Sequence, residues 1–399
     1  MLFSPSRHER LGDSRWSDAR ARRAIAAIAG STEAGFDSRI GLWPLHSYDS
    51  EPGSDHPMRS VYLGASGIIW ALDQLAADGN VDLERDYSSV AERLEPEMVV
   101  EPDESAEWPA DGFLGGRCGA LAVAQRHRDR AERADLLLRL MAGAIEQPAL
   151  ELFYGAPGMM VLAAAEHTRT GDVRFADVWR ASAKHVLEQW HIDEQLGVRL
   201  WTQQLTPKRR DRFVGFGHGL AGNAFALLRG DLLEPDERSA VEHDAVATAK
   251  RLAIVDGDHA NWPSRIDAPL ESPSGIRTQW CHGAPGVIIA LARACPDDDA
   301  WSDLLLAGGR TTWDAGPLRD RAGLCHGTAG NAYAFLALWQ RTSDELWLQR
   351  ARSFAKHALD QVERESLPWH SLFTGDLGVA LCLRSCLEAD ARFPTLNWF

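Results

Sequence analysis

No run of apolar residues in this chain approaches the roughly 20 that a helix needs to cross a bilayer, so a membrane-spanning protein is excluded at the outset. Positive charge is also in short supply. Against 57 Asp and Glu the chain sets 42 Lys and Arg, a formal net charge of −15 over 399 residues. That balance argues against nucleic acid or an anionic membrane surface as the default partner. The first ten residues, Met1 to Arg10, lack the apolar core of a secretory signal, and the expectation is a cytoplasmic protein. Cysteine is sparse, with Cys118, Cys281, Cys295, Cys325, Cys382 and Cys386 making six. In a reducing compartment these are not a disulfide framework, which leaves metal binding, catalysis or simple burial. Apolar alternation of period two is scarce, so strands should be few.

What the chain does contain is a repeat. Gly64-Ala65-Ser66-Gly67 is followed by Ile68-Ile69-Trp70-Ala71-Leu72, and the same pattern recurs at Gly116, Gly155, Gly219, Gly283, Gly327 and Gly375. Seven copies of Gly-x-x-Gly plus an apolar helix, roughly 40 to 65 residues apart, are the mark of a repeat architecture. Between copies lie amphipathic segments. Phe175, Val178, Trp179, Val186, Leu187 and Trp190 fall mostly at three- and four-residue steps, as do Leu346, Trp347, Ala351, Phe354, Ala355, Ala358, Leu359 and Val362. This is helical periodicity with one buried face. The prediction is an all-α fold, an α/α toroid of seven helical hairpins. Closure is favoured over an open solenoid because no repeat carries a polar capping face. The whole of 1–399 reads as one domain, with 1–57 as a polar N-terminal extension packed on it and one helix near Ser17 to Ile28.

The loops before the apolar helices would gather at one end of such a ring. They carry Glu151, His218, Cys281 with His282, and Cys325 with His326. Thiolate and imidazole suit zinc, and three protein ligands with an open fourth position is the catalytic arrangement. Were His282 and His326 both ligands, the site would be closed and structural, and spacing does not choose between the two. Cys118, Cys295, Cys382 and Cys386 read as small core residues. The repeat glycines read as turn and packing positions; none shows the Walker spacing, and Gly217-His218-Gly219-Leu220-Ala221-Gly222 lacks the βαβ setting of a dinucleotide site. Two anionic ligands blunt a metal's Lewis acidity while leaving a bound sulfur nucleophilic, which favours thiol addition over hydrolysis.

Trp280-Cys281-His282-Gly283-Ala284-Pro285-Gly286 and Gly323-Leu324-Cys325-His326-Gly327-Thr328-Ala329-Gly330-Asn331 resemble the signature motifs of the lanthionine synthetase C-like family. Glu151-Leu152-Phe153-Tyr154-Gly155, His218-Gly219-Leu220-Ala221-Gly222, Ser371-Leu372-Phe373 and the ending Ala391-Arg392-Phe393-Pro394 place the resemblance nearer the glutathione-binding branch than the dedicated lanthipeptide cyclases. The resemblance implies a seven-fold α/α toroid with one zinc held by Cys281, Cys325 and His326, and His282 behind them or facing substrate. It implies that a thiol, from glutathione or a peptide cysteine, adds to dehydroalanine or dehydrobutyrine in a peptide or protein, with His218 as acid/base and Glu151 beside it. Arg364 stands where a carboxylate-binding Arg is expected, Arg319 lies in the stretch where a Lys is expected, and Arg277 resembles an active-site Arg of some cyclases. Trp280 and His282 would shape the pocket. The alternatives are a cyclase closing lanthionine rings, a glutathione- and zinc-binding scaffold without turnover, and a zinc hydrolase, which would need a carboxylate-rich cleft.

Overall fold

A computed structural model describes residues 2–13, 15–50, 56–105, 108–267, 270 and 275–399. Its described residues form fourteen α-helices in two concentric layers. The inner helices are α2 (Ala65–Ala77), α4 (Arg117–His127), α6 (Ala156–Thr170), α8 (Leu220–Leu228), α10 (Ala284–Leu291), α12 (Thr328–Thr342) and α14 (Asp376–Glu388). Each begins at the first glycine of a repeat. The outer helices are α1 (Asp18–Ala34), α3 (Ser88–Val100), α5 (Ala131–Gly143), α7 (Val173–Glu188), α9 (Pro235–Leu252), α11 (Asp299–Ala315) and α13 (Glu345–Arg364). Inner helices α6, α8, α10, α12, α14, α2 and α4 pack each on the next in that order, the α14–α2 contact joining the two ends of the chain, and α5 packs on α7 between the α4 and α6 repeats. The N-terminal α1 lies against α14, so the first helix of the chain covers the last repeat.

Burial follows the two patterns read from sequence. In α12 every residue from Thr328 to Leu338 is buried, as a helix enclosed on all sides requires. In α13 the apolar stripe through Trp347, Ala351, Phe354, Ala355 and Ala358 is buried, and Lys356, His357 and Gln361 are buried as well where Glu9 and Gly12 of the N-terminal segment cover them. The C-terminal segment supplies the centre. Phe393 stacks on Trp280 at 5.1 Å and touches Phe216, Tyr333 and Phe373, rings drawn from four successive repeats.

The second glycine of each repeat has a geometric reason. A Cβ on Gly330 would stand 1.8 Å from the carbonyl oxygen of Leu324, and one on Gly286 would stand 2.1 Å from that of Trp280. The loop thus lies directly on the first turn of its own helix, where its carbonyls accept from amides that have no partner within the helix. Thr328 and Ala329 donate to Arg321 and Ala322 at 2.9 Å, and Leu220 donates to Phe213 at 3.0 Å. Leu324 and Trp280 immediately precede Cys325 and Cys281, so the repeat glycines fix the residues next to the two cysteines.

Strands are few and short. Among the described residues they form three two-stranded hairpins, β1 (His191–Asp193) with β2 (Val198–Leu200), β3 (Gln203–Thr206) with β4 (Arg209–Asp211), and β5 (Ile254–Asp256) with β6 (His259–Asn261). Among the described residues no helix is long and apolar enough to cross a membrane.

Candidate active site

The loops before α8, α10 and α12 open onto one cavity of about 770 Å³, lined among others by His218, Cys281, His282 and His326. Cys281 and Cys325 are buried, and their sulfurs lie with a His326 ring nitrogen within 4.8 Å of one another. Donors gathered this closely suit one thiophilic ion, whose bonds to sulfur and imidazole nitrogen run about 2.0–2.3 Å. The sulfurs are held from the backbone: the Cys281 amide donates to the Cys325 carbonyl at 3.3 Å, and the Cys325 amide to that of Phe373 at 2.8 Å. A hydrogen bond from Cys325 holds the Cys281 thiol far below its ordinary range despite burial. Burial first, and the neighbouring sulfur next, push Cys325 up. A divalent cation would stabilise both as thiolates. The donor set and its burial fit such an ion.

His282 stands apart from this group. Its Nδ1 is buried without a hydrogen-bond partner among the described residues. Burial, aided by nearby cations, pushes its pKa down to about 4, so it faces the cavity as neutral imidazole.

Beside His282, with ring centroids 6.0 Å apart, His218 lines the same cavity, and its Nδ1 meets Glu151 Oε2 at 2.9 Å. Glu151 is not a surface residue: it is wholly buried and accepts from the amides of Phe153 and Tyr154 at 2.9 and 2.7 Å. Phe153 also stacks on the His218 ring at 4.8 Å. Burial alone would lower the His218 pKa, but the hydrogen bond and charge of Glu151 outweigh it and the pKa is raised. The imidazole is thus oriented by one nitrogen and left with the other for the cavity.

Arg277 and Arg319 line the cavity. Two expected contact residues do not. Trp280 is fully buried and belongs to the aromatic centre around Phe393, because the turn that points Cys281 inward points its neighbour into the core. Arg364 sits at the end of α13 and binds Glu9 at 2.9 Å, outside the cavity lining.

Several residues at the site were not anticipated. Gln279 donates to Cys281 Sγ at 2.9 Å, and Arg7 donates to its side-chain carbonyl oxygen at 2.8 Å, which fixes which way the amide points. The Tyr62 hydroxyl donates to Cys325. Asp49, buried among Trp369, Ser371 and Thr374, lies within electrostatic reach of His326. Arg7, Arg209, Arg265 and Arg321 join the wall. A signal existed for Gln279, two residues before Cys281, and for Tyr62, an aromatic just ahead of a repeat glycine. Arg7 lies in a polar stretch with no periodicity to mark it.

A closed ring of paired helices, with Cys281, His326 and His218 on one cavity, Cys325 beside the first two and Glu151 behind the third, defines a class of α/α-toroid proteins with a thiol and imidazole group that could hold a metal. The chain belongs to the lanthionine synthetase C-like family, whose description, "Lanthionine synthetase C-like protein", matches residues 49–397. It is 30% identical over 306 residues to a zebrafish (Danio rerio) protein named Glutathione S-transferase LANCL1, covering 71% of this chain and 73% of that one. It is 30% identical over 194 residues to LanC-like protein GCL1 of Arabidopsis thaliana, covering 46% and 43%. Its fold is similar to that of nisin cyclase, with a TM-score of 0.63 at 15% identity across 92% of this chain and 94% of that one.

Proposed function

We propose that this protein joins a thiol to the β-carbon of dehydroalanine or dehydrobutyrine in a peptide or protein, forming a thioether, with zinc held by Cys281, Cys325 and His326. The observation that carries the reading is that Cys281 and His326, grouped with Cys325, line one cavity with His218, which Glu151 holds from behind. Zinc, when bound, would supply the charge that keeps a substrate thiol ionised near neutral pH. Resemblance over most of its length to a protein named as a glutathione S-transferase favours glutathione as that thiol.

The thiol loses its proton, and the sulfur electron pair forms the new C–S bond at the β-carbon. The alkene pair shifts toward the α-carbon and its carbonyl as an enolate. The thiol proton passes to solvent, imidazolium at His218 gives a proton to the α-carbon, and the neutral ring then regains one from solvent, so thiol and alkene give thioether with no net gain or loss of protons. Glu151 orients the ring and stabilises its charged form between turnovers. Neutral His282 forms part of the cavity wall beside the bound peptide.

Zinc-loaded protein mixed with glutathione and a dehydroalanine peptide should raise the peptide mass by one glutathione, well above the rate without protein. His218→Ala should slow this by roughly 10²–10⁴-fold. Background-rate addition by the zinc-loaded wild type would overturn the reading. A peptide carrying its own cysteine separates intramolecular ring closure from glutathione transfer by whether mass is conserved or gained.

A further inference from the structure

Thiol addition alone leaves the charge of the cavity unexplained. Six of its lining residues are arginines, Arg7, Arg209, Arg265, Arg277, Arg319 and Arg321, and among the described residues no Asp or Glu lines it. In a chain of net charge −15 that concentration calls for a cause. Asp211 binds Arg209 and Arg265 at 2.6 and 2.7 Å. Among the described residues the other four have no carboxylate partner. Arg7 donates to the Gln279 amide and Arg319 to the His8 carbonyl at 3.1 Å. Arg321 lies over the rings of Tyr48 and Trp369 at 5.1 and 5.6 Å. The Arg277 guanidinium shows no hydrogen bond or ion pair among the described residues, its backbone carbonyl alone accepting from Asn261 Nδ2 at 3.1 Å.

Three of these charges crowd one another. Burial weakens the proton hold of Arg7, and Arg277 and Arg321 weaken it further. The metal centre does not balance them, since a divalent ion on two thiolates and a neutral imidazole carries no net charge. Glutathione brings two carboxylates and one ammonium, so guanidinium groups remain after it binds. A thiolate approaching an anionic peptide would also be repelled unless cations lay between them.

We propose, resting on the thiol-addition reading, that the peptide substrate is acidic around its dehydroamino acid. Carboxylate or phosphate side chains flanking the alkene dock on Arg277, Arg319 and Arg321. The ring contacts of Arg321 fix the plane of its guanidinium, which suits paired hydrogen bonds to a carboxylate or phosphate.

The test measures binding to the zinc-loaded full chain with glutathione saturating. The peptides carry alanine in place of dehydroalanine and differ in their flanking residues: Asp/Glu, phosphoserine, Asn/Gln or Lys. Acidic peptides should bind roughly tenfold or more tightly than the Asn/Gln peptide, and Lys peptides more weakly still. Arg277→Gln with Arg321→Gln should erase most of the difference, as should high salt. Tightening by phosphoserine alone assigns the wall to phosphate; tightening by both assigns it to anionic side chains in general. Equal affinity for Asp/Glu, phosphoserine and Asn/Gln peptides overturns the proposal. These peptides cannot react, so their binding is independent of any failure to form adducts, which would count against thiol addition instead.

Discussion

Cys281-His282-Gly283 and Cys325-His326-Gly327 are the same three residues in sequence, each at the head of an inner helix, yet they do different things. In the second the imidazole joins the sulfurs; in the first it does not. The backbone separates them. Gly327 begins α12 with φ −131°, as the other inner helices begin, whereas Gly283 begins α10 with φ +93°. Gln279 and His282 form an isolated antiparallel bridge just before it. The reversed glycine turns the preceding His282 away from the thiols and toward the cavity. One repeat is thus modified from within: the two cysteines keep the same task while the two histidines diverge, and the asymmetry leaves an open side for substrate.

The comparison can be broken at several strengths. Cys281→Ala or Cys325→Ala removes a ligand from each half, and bound zinc should fall from about one per chain to a small fraction, with adduct formation lost. Retention of the metal in both variants would remove the site. Gly283→Ala comes next. Its Cβ would meet the Arg277 carbonyl at 1.8 Å in a left-handed backbone, and the variant should lose about 1–3 kcal/mol of stability, read as a lower unfolding midpoint. An unchanged midpoint would show that the reversed turn is not required.

Glu151→Gln probes the neighbouring His218 couple. The raised His218 pKa keeps the ring protonated to higher pH, so the rate should fall as pH rises through that pKa. Removing the carboxylate charge should move the fall to lower pH; a profile that does not move would detach Glu151 from His218. The smallest change is Gln279→Ala, which deletes one N–H···S contact and should weaken zinc roughly tenfold, measured by competition with a chelator.

The clustering of Cys281, Cys325 and His326 was legible because these residues are neighbours inside a repeated motif, and the seven glycine pairs made the ring legible in the same way. Trp280 misled because adjacency to Cys281 suggests the cavity, whereas successive side chains in an extended turn point to opposite sides. Arg364 misled because nothing local marks the end of α13 as lying outside the lining. The arginine wall was mostly illegible: Arg7, Arg209, Arg265 and Arg321 come from four segments with no common pattern, joined only by folding. The β3–β4 hairpin that brings Arg209 was missed for the same reason, its strands being short, with an irregular register and no sustained alternation.

The two histidines give the most direct test of the central claim. Zinc content of the wild type, His326→Ala and His282→Ala, measured side by side after the same chelator wash, should be about one per chain in the wild type and in His282→Ala, and far below that in His326→Ala. Equal zinc in the two variants, or loss in His282→Ala alone, would contradict the assignment of Cys281, Cys325 and His326 as the metal-holding group.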